Sequence, residues 1–468
     1  MDVLSAQTSE RKNPICAENT SKPGCGTKKR PLAAAGQCNY WLKRKQRYCK
    51  WDVKADGELF CSNHAKEHKE DGKRVPCPLD PNHSVFESRL YRHLKVCNKV
   101  KIKNKQMQLS CYSENVNIDP ETGSKDEFIS LKHLTQEAIE DVINKADKAL
   151  EFLKPLVEIV EGKEMGFSDS CATPNLEMAN PETNSQKTSK RALRKRKHEV
   201  QQNAILGCLF DRSYCDSVPQ NTCFVEMGAA KGGLSIATRK RLKALANPPT
   251  GISHVLIDRS SFKYRDDRQI TSTNDKTWER IKIDIRDLVL HKIGKVAEAS
   301  NIVVYSKHLC GAATCYTIRS CLPAMKLRKE GIRFPGAIAI ALCCHHVCDW
   351  DAYPNREVLK QFGIMRKEFD IIRHLSSWAI CGFSDHSNKN TGFKDDDHCV
   401  HQLTTPTWSF SSSEKEKIGK KCKEVLNLGR ATYLQSKGYS VSLIKYVKEE
   451  VTLENTLLLA YLNKPSPK

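Results

Sequence analysis

From Thr222 onward, short apolar runs alternate with amphipathic stretches. Thr222–Met227, His254–Ile257, Ile281–Ile285, Ile302–Tyr305 and Gly336–Cys343 have strand length, with helical spacing between them. This rhythm predicts an α/β domain at 198–468, a sheet with helices on both faces. Upstream, Phe128, Leu131, Leu134, Ile139, Val142 and Ile143 recur near helical spacing with charges between. Residues 126–160 therefore read as a helix or helical hairpin acting as a spacer. Residues 161–197 read as a linker from their Ser, Thr, Asn, Glu and Pro content, and residues 1–35 as a disordered tail. Residues 36–105 carry Cys, His and Lys where a core would need apolar side chains. No repeat at solenoid periods is visible.

Length and composition sharpen this division. At 468 residues, the chain is long enough for two to four units of about 100–200 residues each. Hydrophobic residues make up 39% and the mean hydropathy is −0.55. No run approaches the roughly 18–20 apolar residues of a membrane helix, and the first residues lack a signal-peptide core. A soluble chain, cytoplasmic or nuclear or both, is expected, with no membrane and no obligate protein partner. Its 21 cysteines then read as metal ligands, buried side chains or catalytic thiols rather than disulfides.

The net charge is +21, which favours a polyanionic partner. It is unevenly placed: residues 1–110 carry 23 basic and 11 acidic side chains, residues 111–187 carry 7 and 16. Lys190–His198, KRALRKRKH, is a basic run that reads as a nuclear import signal, a phosphate contact or a solvated linker segment.

Two ligand patterns stand in the Cys/His-rich stretch. Cys38, Cys49, Cys61 and His64 form C-x10-C-x11-C-x2-H, a module at 36–66; Cys77, His83, His93 and Cys97 form C-x5-H-x9-H-x3-C, a finger at 72–105. Each offers four thiolate or imidazole ligands with one close pair, which suits a structural Zn2+. Such small modules need the metal's binding energy to fold. Around the first, Tyr40, Trp41, Tyr48 and Trp51 interleave with Lys43, Arg44, Lys45, Arg47 and Lys50. These aromatics suit base stacking in RNA or the module's own core.

In the second half, CFVEMGAAKGGLS reads as strand, glycine turn and helix start, with Glu226, Gly228 and Gly232 at the turn. Glycines let a ligand approach the backbone, and the G-x-x-x-G-G spacing fits S-adenosylmethionine (SAM) better than a dinucleotide. Asp258 closes the next strand where a carboxylate meets ribose hydroxyls, and Asp284 or Asp287 closes the third near an adenine. Asn247–Thr250 spells N-P-P-T but lies between the first helix and second strand, so methylation of an exocyclic amine is not indicated. SKHLCG (306–311) and ALCCHH (341–346) follow strands four and five. Cys343, Cys344, His345, His346 and Cys348 also read as a third metal site, although adjacent side chains rarely converge on one ion.

With these motifs, Ser377–Ala379, Leu428–Arg430 and Thr452–Asn455, the chain from about residue 36 to 465 resembles the eukaryotic tRNA:m(4)X modification enzymes. The resemblance implies a Rossmann-like class I SAM methyltransferase domain behind two zinc modules. It also implies tRNA as partner and transfer of methyl to the ribose 2′-hydroxyl of acceptor-stem nucleotide 4. Ala230 stands where the second glycine of G-x-G is usual, and Cys315 where Asp is usual. A hydroxyl nucleophile needs a proton acceptor, so the expectation is that His308, His345 or His346 takes the proton while Lys307 steadies the developing charge. Two alternatives remain open: cytosine-C5 methylation through Cys310 or Cys344, and a non-catalytic RNA-binding adaptor.

Overall fold

The computed structural model describes residues 36–42, 47–53, 59–61, 64, 74–121, 130–161, 190–213, 218–260, 275–322, 334–381 and 408–462. The expected tail and most of the linker lie outside the described residues. The chain divides into two compact units, Met1–Ile102 and Lys103–Lys468.

In the first unit, β1 (Trp41–Leu42) and β2 (Arg47–Tyr48) form an antiparallel ribbon. β3 (Arg74–Cys77) and β4 (Asp80–Phe86) form a hairpin that leads into α1 (Leu90–Val96) and α2 (Asn98–Met107). Among its described residues, the buried side chains are Cys38, Cys49, Cys61, Cys77 and Cys97 alone. A unit whose interior is five thiols has too little apolar area to hold itself together.

The second unit is a mixed α/β domain around one large sheet. In chain order it contains α3 (Gln136–Leu153), β5 (Glu158–Val160), α4 (Lys190–Ser213), β6 (Thr222–Met227), α5 (Gly233–Lys243), β7 (Ser253–Asp258), β8 (Trp278–Lys282) and α6 (Gly294–Glu298). There follow β9 (Asn301–Cys310), α7 (Ala312–Cys321), β10 (Ala337–Cys343), α8 (Arg356–Lys360), α9 (Arg366–Leu375), α10 (Trp378–Cys381), α11 (Ser412–Gln435), β11 (Tyr439–Lys445) and β12 (Thr456–Leu462). The eight strands lie in the order β5-β11-β12-β10-β9-β6-β7-β8. β10, β9, β6, β7 and β8 are parallel; β12 runs antiparallel between β10 and β11.

The five strands read from the sequence fall on the adjacent parallel run β10-β9-β6-β7-β8, although β8 begins and ends three residues earlier than Ile281–Ile285, and they were legible for a simple reason. A parallel strand covered on both faces needs an unbroken apolar run, and every residue of β6 and β10 is buried. Alternate side chains feed two cores. Cys223, Val225 and Met227 join the layer of α3, α9 and α11, whereas Phe224 joins Ile205, Leu206 and Leu209 of α4 with Leu234 of α5.

Three domain expectations need correction. The stretch 126–160 is no spacer: Ile139, Val142, Ala146, Ala149 and Leu153 make α3's buried stripe, and β5 joins the sheet edge beside β11. Two of its acids form ion pairs, Asp141 with Lys145 at 2.7 Å and Asp147 with Lys421 at 2.8 Å. The sheet unit also begins well before residue 198. Asn117 donates to the carbonyls of Ile285 and Leu288 at 2.7 and 2.8 Å, and Trp350 Nε1 donates to Glu121 at 2.6 Å. Finally, the basic run Lys190–His198 forms the first turns of α4, so the expected linker ends at least eight residues early.

The core also accounts for the unusual Cys315. The Arg430 guanidinium is 1% exposed. Its Nη2 donates to Cys348 Sγ at 2.8 Å and Cys315 Sγ at 3.5 Å, and Nη1 to Asn427 at 3.3 Å. A buried cation is costly without an anion beside it. The Asp usual at position 315 in the resembled family would supply that anion; here the guanidinium meets sulfur. Cys315→Asp is therefore expected to stabilise the fold by about 1–2 kcal/mol, as a charge-assisted hydrogen bond replaces a thiol contact. Chemical denaturation of the two proteins checks this, and equal midpoints would refute it.

Candidate metal centres and active site

Each N-terminal quartet converges on a point. The donor atoms of Cys38, Cys49, Cys61 and His64 lie within 4.8 Å of one another, as do those of Cys77, His83, His93 and Cys97. His64 presents Nδ1, 3.4 Å from Cys61 Sγ and 3.5 Å from Cys38 Sγ. In the second quartet both histidines present Nε2, 3.0 Å apart, while Nδ1 of His83 faces Asp80 at 3.6 Å. A carboxylate on the far side of a ligating imidazole is the usual outer-shell companion of a metal-bound histidine. Three sulfurs with one imidazole, or two sulfurs with two imidazoles, at this spacing fit tetrahedral zinc.

Some of the aromatic residues around the first quartet pack within the module. Tyr40 stacks on His64 with centroids 3.9 Å apart, and Trp41 packs edge-on against Tyr48 at 4.9 Å. Trp51 is 60% exposed. Lys43, Arg44 and Lys45 lie outside the described residues.

The second site gathers at the carboxyl ends of β6, β7, β9 and β10. Gly228 takes φ +65°, and a Cβ there would come 3.1 Å from the His308 carbonyl. Only glycine lets the β6 turn pass so close to β9. Ala230 also takes a positive φ, +42°. Its N–H donates to Asp258 Oδ2 at 2.9 Å, and its carbonyl accepts from Arg280 at 2.7 Å. The turn is thus held in a shape that strains an L-residue, because both its polar groups are satisfied there.

The carboxylates divide by role. Glu226 accepts from both Ser235 N (2.8 Å) and Ser235 Oγ (2.5 Å), capping α5 from the neighbouring strand. Burial pushes its carboxyl up to about 7. It holds the helix start rather than facing solvent. Asp258 accepts from Ala230 N and Ser260 N, one bond per oxygen, which leaves further lone pairs for hydroxyl donors. Asp284 caps the short helical turn Ile285–Asp287 through Arg286 N at 3.0 Å. Asp287 is buried and accepts from Asn115 N at 2.7 Å, so it belongs to the fold.

The SKHLC run is strand rather than loop. β9 continues to Cys310, and opposite β10 its register slips: Ser306 pairs with Ile340 and Leu309 with Leu342. Lys307 and His308 together face Ala341, a β-bulge, which re-aims side chains at a sheet edge. Lys307 Nζ lies 2.5 Å from Nδ1 of His198 on α4. The His198 and His308 rings meet edge-on at 6.1 Å. Burial draws the Lys307 ammonium down to about 8, and burial lowers both histidines too. In the sequence His198 is only the end of a basic run. The signal that could have found it is the apolar spacing of Ile205, Leu206, Cys208 and Leu209, which extends backward as one helix.

The histidines of the β10 turn do not join this group equally. His345 is 2% exposed, with Nε2 2.7 Å from Asn427 Oδ1 on α11. Burial keeps it well below the usual histidine range. Asn427 in turn lines a cavity of about 300 Å³ with Lys423, Lys445 and Asn455, away from the glycine turn. The expectation that His345 is a candidate proton acceptor is therefore corrected: its ring is buried against α11. His346 is half-buried and its carbonyl accepts from Arg373 at 3.0 Å. The five residues Cys343, Cys344, His345, His346 and Cys348 do not converge on one point, as the crowding of adjacent side chains implies: His345 meets Asn427 and Cys348 meets Arg430. Instead Cys310, Cys343 and Cys344 draw together, and hydrogen bonds from Cys343 and Cys344 hold the Cys310 thiol far below its ordinary range.

A family profile described as "Methyltransferase TRM13" matches residues 200–461, more than half of the chain. The chain belongs to the TRM13 methyltransferase family. Further profiles, described as "CCCH zinc finger in TRM13 protein" and "U11-48K-like CHHC zinc finger", match residues 36–65 and 74–98 and enclose the two quartets. Among curated relatives, the tRNA:m(4)X modification enzyme TRM13 homolog of Mus musculus is 32% identical, covering 92% of this chain and 95% of the relative. The Homo sapiens homolog is 31% identical over 92% of this chain and 96% of its own. The Saccharomyces cerevisiae tRNA:m(4)X modification enzyme TRM13 is 28% identical over 91% and 96%. Membership accounts for the order of modules: two zinc fingers ahead of a TRM13 methyltransferase domain.

Two outcomes follow from the geometry. Removing zinc with a chelator should abolish amide protection in Cys77–Val96 while β6, β9 and β10 stay protected; hydrogen exchange resolved by peptide reads both. Ala230→Gly should raise stability by about 0.5–1 kcal/mol, since relief of left-handed strain exceeds the added chain entropy. An unchanged or lowered denaturation midpoint would count against that.

Proposed function

We propose that this chain methylates tRNA, carrying methyl from SAM to the ribose 2′-hydroxyl of acceptor-stem nucleotide 4. The relatives' printed names supply the tRNA and the position, and the resemblance read from the motifs supplies the ribose. The strand order supports a Rossmann-like class I domain: five parallel strands with a reversed strand, β12, inserted beside the fifth. Ligands in such sheets sit at the carboxyl edge where strand order turns back, here between β6 and β9. That edge fits SAM, because Gly228 keeps the turn free of side chain and Asp258 retains acceptor capacity for a ribose. When bound, SAM supplies an electrophilic methyl group. Asp284 remains the proposed neighbour of the adenine.

The observation that carries the reading is the Lys307–His198 contact beside the glycine turn. A 2′-hydroxyl reacts only if its proton can leave late in the transfer. An amine with its pKa drawn to about 8 is neutral often enough near pH 8 to accept that proton, and His198 can share it. On this reading the proton goes to the Lys307–His198 pair, with the His308 ring beside it, and His345 has a structural part. Lys195, Arg196 and Lys197 are exposed on the turn of α4 that ends at His198. Their position favours a phosphate contact over an import signal for the basic run.

Lys307→Ala should retain SAM binding by calorimetry but lose methyl transfer by about 10²–10⁴-fold. In the wild type, kcat should climb with pH and level off near 8, because only the deprotonated pair accepts a proton; Lys307→Arg should flatten that rise. Full activity in the alanine variant refutes the assignment. The exposed, acidified Cys310 sustains the C5-methylation alternative. Covalent trapping on 5-fluoropyrimidine RNA would establish it.

A further inference from the structure

Cys310 ends β9 and Cys343 ends β10, and the two are paired neighbours in the parallel ladder. Cys344 follows with φ +49° and ψ +48°, the left-handed region. Consecutive side chains in an extended strand point to opposite faces, so Cys343 and Cys344 would ordinarily diverge. The left-handed turn removes that alternation, and the Sγ atoms of Cys310, Cys343 and Cys344 all lie within 4.8 Å of one another. Cys310 Sγ is 4.0 Å from Cys343 Sγ and 3.1 Å from Cys344 Sγ. The same 4.0 Å separates Cys49 from Cys61 and Cys77 from Cys97 in the two zinc fingers.

We propose that Cys310, Cys343 and Cys344 form a third zinc site, separate from both fingers, in which three thiolates hold one Zn2+. Three soft donors converging from two strand ends are the ligand chemistry of a d10 cation, and zinc with three protein ligands keeps a fourth position open. Cys310 is exposed while Cys343 is buried, so the open position lies on the Cys310 side and takes solvent. The ligand set differs from the Cys/His run legible in the sequence. His345 is committed to Asn427 and Cys348 to Arg430, while Cys310 arrives from another strand. An ion here would fasten the ends of β9 and β10 just beyond the bulge that carries Lys307. The proposal is compatible with ribose methylation and bars Cys310 from serving as a C5 nucleophile, since a thiolate held on zinc is not free to attack a base.

Full-length protein, purified with a non-chelating phosphine reductant, should contain three zinc ions per chain by native mass spectrometry. Cys310→Ser and Cys344→Ser should each lose one ion and keep the two of the fingers; Cys422→Ser, buried elsewhere, should keep all three. Because a serine variant could also misfold, the wild type provides a second reading. Zinc should shield Cys310 and Cys344 from iodoacetamide, and a chelator should expose them. Two ions in the wild type with Cys310 freely alkylated would overturn the proposal. So would a Cys310–Cys344 disulfide in place of the third ion.

Discussion

β9 lies between β6 and β10 with its residues from Ile302 to Ser306 buried, and the placement of the candidate site depends on that position. Ser306 Oγ donates to the Met227 carbonyl at 2.7 Å, tying β9 to the last residue of β6 just before the glycine turn. One residue later the ladder to β10 absorbs an extra residue, and the bulge turns Lys307 and His308 toward α4. Without the covered strand the bulge would have no fixed direction. Without the bulge, strict alternation would separate Lys307 from its neighbours on the edge.

Around that strand the electrostatics follow from burial. Tyr305 passes a hydrogen bond to Ser235 Oγ at 3.1 Å, and Ser235 meets Glu226, so one buried chain of polar groups locks β6, β9 and the start of α5. Burial raises Glu226 and lowers Lys307, in each case favouring the neutral form. Both shifts have the same cause, since desolvation penalises whichever form is charged. Arg430 shows the contrary case, a cation kept in the core with thiols around it.

The parallel strands, both zinc quartets and the glycine turn were legible because each depends on local pattern: double burial, ligand spacing, positive φ. What escaped notice depends on partners far along the chain. α3 looked like a spacer because its apolar stripe has no visible partner until α11 lies against it. The segment from Leu109 to Glu121 has no periodicity; backbone and side-chain hydrogen bonds to Ile285, Leu288 and Trp350 make it part of the domain. His345 and His346 are equivalent as letters, yet only Asn427, some 80 residues on, decides that His345 turns inward.

The sequence by itself determined the family, the two finger ligand sets, the five central strands and the strand ends where chemistry gathers. These rest on short-range chemistry: a ligand pair on one turn, an apolar run, a glycine where a side chain cannot fit. Tertiary structure alone decided which groups meet at those strand ends. It brought His198 from the basic run to Lys307, put Glu226 to work as a helix cap, and drew Cys310 to Cys343 and Cys344. The physical reason is that direction in a folded chain is set by register and by distant hydrogen-bond partners, and a one-residue bulge is enough to redirect it.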